Sequence, residues 1–202
     1  KFGTAGQSCV APTRYLVHES LHDRLVAALV GRAKAYTLGH GADARTTLGP
    51  VAHAGRLKAL GQLVEDAVAK GARVETGGQP QPGPGCFFLP TVLSGVSADA
   101  EILSEEPFGP VATVQSFQDL DQAIDLANAT PYAFAAYLFT DSLRVRNEVV
   151  GRLQASNIGV NQTAPSLPDV PLGGLGNSGH GYEGGTDGVL AYMQLRLVSQ
   201  SA

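Results

Sequence analysis

Short β-branched and aromatic stretches alternate along this chain with segments of helical periodicity, and that alternation limits the fold more than any other feature. "TRYLV", Thr13 to Val17, reads as a strand. Leu21, Leu25, Ala28, Leu29 and Ala33 follow at helical spacing, predicting a helix that ends near Gly39. A second helix is predicted from His53 to Lys70, with Leu57, Leu60, Val64, Ala67 and Val68 on one face and Gly71 as its stop. "RVET" gives a short strand, and the proline- and glycine-rich run from Gly77 to Gly85 a surface turn. Pro90 marks "FFLPTVL" as an edge or interrupted strand, because proline cannot donate to a ladder. "VATVQSF", Val111 to Phe117, is a strand, and Asp119 or Asp121 caps the helix after it. A strand "FAAYLFT", a helix capped by Asp141, a strand "ASNIGVN", a short helix around Thr186 to Met193 and a strand "LRLVSQ" complete the series. The expected fold is α/β, a mainly parallel twisted sheet flanked by helices.

At 202 residues the chain is long enough for one large domain or two small ones. Its net charge of −4 and the lack of a basic cluster give no electrostatic footprint for nucleic acid or an anionic membrane, which leaves small molecules as partners. No apolar run approaches the roughly 18 to 20 residues of a bilayer span, and the first residues lack the layout of a secretory signal. The expected location is cytoplasmic. Cys9 and Cys86 lie far apart and no CxxC pair occurs, so neither a disulfide framework nor a thiolate zinc site is indicated. His18 and His22 have a metal-compatible spacing but lack the adjacent glutamate of a zinc-protease helix, and no metal site is expected.

Three stretches stand out as candidate sites. In "GTAGQSCVA", Cys9 taken alone fits an inert core thiol or a reactive one. Gly3 and Gly6 permit close backbone approach, Gln7 offers a polar contact suited to a substrate, and Pro12 ends any helix before the strand. A thiol at such a junction can stand at the rim of the sheet, where ligands collect. Each of the five histidines reads best as a solvated surface residue, which gives no support to a cysteine–histidine hydrolase. "SEEPFGPV", Ser104 to Val111, is either a solvated acidic turn with Phe108 tucked into the core, or a carboxylate beside an aromatic face that suits ribose hydroxyls and a flat ring. The stretch from Gln162 to Gly185 has almost no periodicity, and loops of that length are usually functional. Its glycines match no phosphate-loop pattern, leaving a flexible surface loop or the backbone lining of a tunnel.

In order and spacing, "GQSC" followed by "APTR", then "EEPFGPV", then "PLGG" and "SGHGYEGG", resemble the aldehyde dehydrogenase superfamily. "GCFFLPTVL" and "NATPYAFAAYLFT" agree with it too, so the likeness covers essentially the whole chain. The resemblance implies a catalytic domain over residues 1–193 and, over 194–202, a tail strand of the kind that pairs between subunits, hence a homo-oligomer. It implies that Cys9 is the nucleophile that attacks the aldehyde, passing through a thiohemiacetal and a thioester, with its backbone N–H donating to the oxyanion. Glu106 matches the carboxylate that holds the nicotinamide ribose of NAD or NADP, and Phe108 the aromatic beside the nicotinamide. Glu183 matches a glutamate of the proton path in part of the family.

The family's dinucleotide-binding domain, with its general-base glutamate and oxyanion-hole asparagine, has no counterpart in these residues. The expectation is therefore a catalytic-domain portion that is inactive alone as a dehydrogenase. The glycine-rich closing segment is similar to enzymes that act on semialdehydes, succinate semialdehyde among them. Yet Gly3 stands where many of those carry an arginine for the substrate carboxylate. Leu172 stands where many members carry a phenylalanine, which would widen the pocket. The competing expectations are a catalytically inactive assembly module and a cofactor-independent thiol esterase.

Overall fold

The computed structural model describes residues 1–164 and 167–201, and the chain divides into two compact units, Lys1–Thr130 and Pro131–Ala202. In the first unit β1 (Arg14–His18), β2 (Arg73–Thr76), β3 (Thr91–Ser94) and β4 (Val111–Phe117) form one sheet in the order β1-β4-β3-β2. β1 and β3 both run parallel to β4, with Arg14 beside Thr113 and Thr91 beside Val111, while β2 closes one edge antiparallel to β3.

Alternate residues of a strand point to the same face, so Tyr15, Val17, Val92, Ala112 and Val114 make one apolar surface. Helix α1 (His22–Lys34) covers it with Leu25, Val26, Leu29, Val30 and Ala33. Helix α2 (Ala54–Ala69) sets Leu60, Leu63, Val64 and Ala67 into a second cluster with Phe88, Leu93, Ile102 and Val111. β3 is buried at every position, as a strand covered on both faces must be. Helix α3 (Leu120–Asn128) packs along β1 and β4, and Arg14 donates from its guanidinium to the Leu126 and Ala127 carbonyls at the end of that helix. A cation there satisfies carbonyls that have no partner within the helix. Burial lowers the affinity of the Arg14 guanidinium for its proton.

In the second unit β5 (Ala135–Leu138), α4 (Leu143–Arg152) and β6 (Asn157–Val160) follow one another, with β5 and β6 paired in parallel. Ser156 and Asn157 donate to the carbonyls of Phe134 and Gly173, which fastens the start of β6 to the chain on either side. β7 (Leu172–Gly173) and β8 (Tyr182–Glu183) form a short antiparallel pair, and α5 (Gly185–Leu190) follows.

The α/β architecture with a mainly parallel sheet flanked by helices is as expected, and several details differ. Pro90 does not place its segment at an edge: the strand begins one residue later and β3 lies inside the sheet. On α2, Val68 is exposed and Leu63 takes the core position, because the true apolar stripe runs through Leu60, Leu63, Val64 and Ala67. α3 is capped by Asp119, which accepts from Gln122 N at 2.9 Å, but α4 is capped by Ser142, one residue after Asp141. The tail from Leu195 to Gln200 forms no strand among the described residues, and the partner expected for it is another subunit. The glycine-rich stretch from Gln162 to Gly185 contains 165 and 166, which lie outside the described residues.

Two substitutions test these assignments. Leu60→Ala, at a side chain with 0% exposure, should cost about 2–5 kcal/mol in urea denaturation. Asp119→Ala should cost about 1 kcal/mol through the lost cap of α3, and an unchanged midpoint would refute that cap.

Candidate active site

Cys9 lies in a turn ahead of β1, exposed, and neither it nor Cys86 is in a disulfide. The backbone leading to it is unusual: Thr4, Ala5 and Gly6 are left-handed in succession, with φ of 50°, 53° and 69°. Such a run is costly for residues with a Cβ and persists only where the surroundings hold it. Two contacts do so. A Cβ at Gly6 would overlap the Gly109 carbonyl and stand 2.9 Å from Pro110 N, so the loop's backbone lies directly on the segment that enters β4. The Gln7 amide accepts from Ala52 N at 2.7 Å and donates to the carbonyls of Thr4 and Pro50.

Gly6 and Gly109 thus join two of the three conspicuous stretches. Glu106 and Phe108 belong to the turn that ends at Gly109, and Phe108 is itself left-handed, with φ of 41°. Glu106 reaches solvent, yet desolvation around its carboxyl raises its pKa, with Lys1 and Arg56 pulling the other way. The Lys1 ammonium is lowered to about 8, by burial first and against the pull of Glu106, and it donates to Thr13 Oγ1 at 3.1 Å. A carboxylate balanced between desolvation and two cations, two residues before a half-buried phenylalanine on the same turn, suits the hydroxyls and flat ring of a nucleotide.

The location differs from expectation in one respect. The Cys9 turn precedes β1 and the Glu106–Gly109 turn precedes β4, so both lie at the amino ends of parallel strands. Open doubly wound sheets gather ligands at the carboxyl ends instead. Gln7, expected as a substrate contact, spends its amide on bracing the loop.

Leu172 and Glu183 belong to the second unit, where they are direct partners across β7 and β8. Leu172 is half-buried and Glu183 exposed. Four of the five histidines are engaged locally: His18 bonds Ser20, His22 bonds Asp23, His40 accepts from Ala42 N and His53 caps α2, while His180 is exposed in the second unit. Among the described residues no group of three metal-binding side chains occurs. Sequence reasoning missed Arg56, which donates to the Pro107 carbonyl at 3.3 Å. The available signal was a cation in the first turn of α2, a turn with no acidic residue, where the helix dipole disfavours positive charge.

Gly6→Ala should destabilise the first unit by about 3 kcal/mol or more, since it combines a backbone overlap with strain at positive φ. Gly3→Ala is the control, because a Cβ there meets nothing within 4 Å, and it should change stability by less than about 0.5 kcal/mol. Equal thermal midpoints for the two variants would refute the packing described.

The family model described as "Aldehyde dehydrogenase family" matches residues 1–198. The 4-(hydroxymethyl)benzenesulfonate dehydrogenase TsaD1 of Comamonas testosteroni is 43% identical over 98% of this chain and 41% of its own length. A succinate-semialdehyde dehydrogenase [NADP(+)] of Schizosaccharomyces pombe is 36% identical, over 98% of this chain and 41% of its own length. The crystal structure of succinate-semialdehyde dehydrogenase from Burkholderia pseudomallei superimposes with a TM-score of 0.92 at 34% identity, covering 95% of this chain and 40% of that one. The chain therefore spans about two fifths of the length of the relatives it matches, 41% for these two curated proteins. No helix among the described residues is long and apolar enough to cross a membrane. With a family match across nearly its whole length, this chain belongs to the aldehyde dehydrogenase family.

Proposed function

We propose that this chain is the thiol-bearing portion of an NAD(P)-dependent aldehyde dehydrogenase, and that Cys9 is its nucleophile. One observation carries the reading: the exposed Cys9 turn and the turn of Glu106 and Phe108 are locked together through Gly6 and Gly109. That contact joins the loop that carries the thiol to the turn that carries the carboxylate and the ring, which supports reading the two as one site.

In this mechanism the Cys9 thiolate bonds to the aldehyde carbon and gives a thiohemiacetal. The Cys9 backbone N–H donates to the oxygen on which charge develops. A nicotinamide dinucleotide, when bound, supplies the hydride acceptor, and Glu106 and Phe108 are the residues here that would hold it. After oxidation at the carbon, Cys9 carries the product as a thioester until water releases the acid and regenerates the thiol. Glu183, exposed on β8, suits a place on the path that returns protons to solvent.

The substrate class we infer is an aldehyde that extends to a semialdehyde, supported by the relatives whose names carry succinate semialdehyde. Gly3 and Leu172 supply no cation for a second carboxylate, so a simple alkanal remains the competing substrate. Two unpaired thiols fit a reducing compartment and hence the cytoplasm. Assembly into a homo-oligomer is favoured by the tail, where Leu195 and Leu197 are almost fully exposed and Val198 largely so.

Thiol labelling of this chain should alkylate Cys9 before the half-buried Cys86, and an inert Cys9 would overturn the nucleophile and favour an assembly module. In an enzyme of the relatives' full length, Cys9→Ser should lower kcat by about 10⁴-fold or more. In that enzyme the ratio of kcat/KM for succinate semialdehyde to that for a simple alkanal decides the substrate class, and a ratio below one would refute the semialdehyde. Assayed by itself, the 202-residue chain should give no sustained NAD(P)H formation, since in this reading none of its residues takes the general-base role. Sustained turnover would overturn that expectation. Cofactor-free hydrolysis of an activated ester, abolished by Cys9→Ser, would instead support an esterase.

A further inference from the structure

The resemblance assigned no role to Arg56, and the local helix gives it no reason to be cationic. With His53 as the cap, Arg56 is the third residue of α2 and faces the positive end of the helix dipole, a placement that disfavours a guanidinium. The side chain leaves that unfavourable field by reaching across to the Pro107 carbonyl at 3.3 Å, in a part-buried contact. Pro107 is buried and lies between Glu106 and Phe108, the latter at a φ of 41° that a bulky residue holds only under constraint.

We propose that Arg56 is a positioning residue for the Glu106–Phe108 turn: its hydrogen bond to Pro107 fixes the backbone between the two side chains, and its charge stabilises the Glu106 carboxylate. The value of this to catalysis rests on the reading of Glu106 as a ribose-holding group.

The two parts of the role are separable in chemistry. The guanidinium is planar and can hold a carbonyl while keeping its charge close to the carboxylate, whereas an ammonium supplies charge without that fork. The charged groups that act on Glu106 are Lys1 and Arg56, and both oppose the desolvation that favours the neutral acid. Lys1 is already engaged with Thr13 and its ammonium is lowered to about 8, so its charge weakens as pH rises toward that value. Arg56 keeps its charge throughout, which makes it the constant partner of the pair.

The test is a carboxyl ¹³C NMR titration of Glu106 in the 202-residue chain, comparing wild type, R56Q and R56K. R56Q should move the Glu106 midpoint upward and shift the Phe108 Cα resonance, which reports its left-handed backbone. R56K should leave the midpoint near that of wild type while the Phe108 Cα resonance still moves. A thermal midpoint within a few degrees of wild type shows that R56Q is folded, and R56K serves should it not be. An unchanged Glu106 midpoint in folded R56Q, or an unchanged Phe108 Cα resonance in R56K, would overturn the proposal. The ribose reading fails separately: if E106Q in an enzyme of full length leaves the KM for nucleotide unaltered, Glu106 does not hold the ribose, whatever R56Q does to its titration.

Discussion

The organisation of the first unit depends on two glycines that meet without side chains. Gly6 admits no Cβ because the Gly109 carbonyl occupies that space, and Gly109 admits none because the Leu60 side chain lies beneath it. Leu60 is fully buried in the core that α2 makes with the sheet. A column of contacts thus runs from the hydrophobic core, through the segment entering β4, to the loop that carries the thiol. The loop that carries Cys9 is seated on that packing and also holds itself through Gln7 N to the Thr4 carbonyl and Ala11 N to the Ser8 carbonyl. The Gln7 side chain adds bonds to Thr4 within the loop and to Pro50 and Ala52 on the neighbouring segment.

This arrangement explains why the loop tolerates three left-handed residues in succession. Packing density at the Gly6–Gly109 contact leaves the backbone no alternative path, and the cost of Thr4 and Ala5 at positive φ is absorbed by the rest of the unit. Electrostatics at the neighbouring turn follows the same pattern. Glu106 is pulled toward neutrality by desolvation and toward charge by Lys1 and Arg56, which come from two distant parts of the sequence. Neither cation belongs to the turn they act on, so the character of the carboxyl is a property of the fold.

Much of the fold was legible because it rests on local rules. The alternation of β4 and α3, a cap at Asp119 or Asp121, and Leu60, Val64 and Ala67 on the inner face of α2 depend on residues within a few positions of one another. What was not legible depends on distant neighbours. Pro90 read as marking an edge or interrupted strand; the strand is interrupted there, but the sheet order that places β3 inside comes from pairing with β4, whose strand starts some twenty residues later. Ser142 and Asp141 are both capable caps, and only the backbone's entry into α4 selects between them. Cys9 was ambiguous on its own for the same reason: exposure of a thiol is decided by where the fold holds its loop, and this loop is seated on Gly109 through Gly6. Arg56 was passed over because its partner, the Pro107 carbonyl, is 51 residues away, and a cation in a first helical turn does not name the carbonyl it reaches.

The loop's dependence on packing beneath it divides its residues into two kinds. At Gly6 and Gln7 the chain is keyed into its neighbours, while at Gly3 a side chain would project into open space. A combinatorial library aimed at new aldehydes can therefore randomise position 3 freely and should hold 6, 7 and 109 constant. Diversity would then be generated upstream of the thiol without moving it, so that the scaffold behaves as a fixed socket with one exchangeable pin.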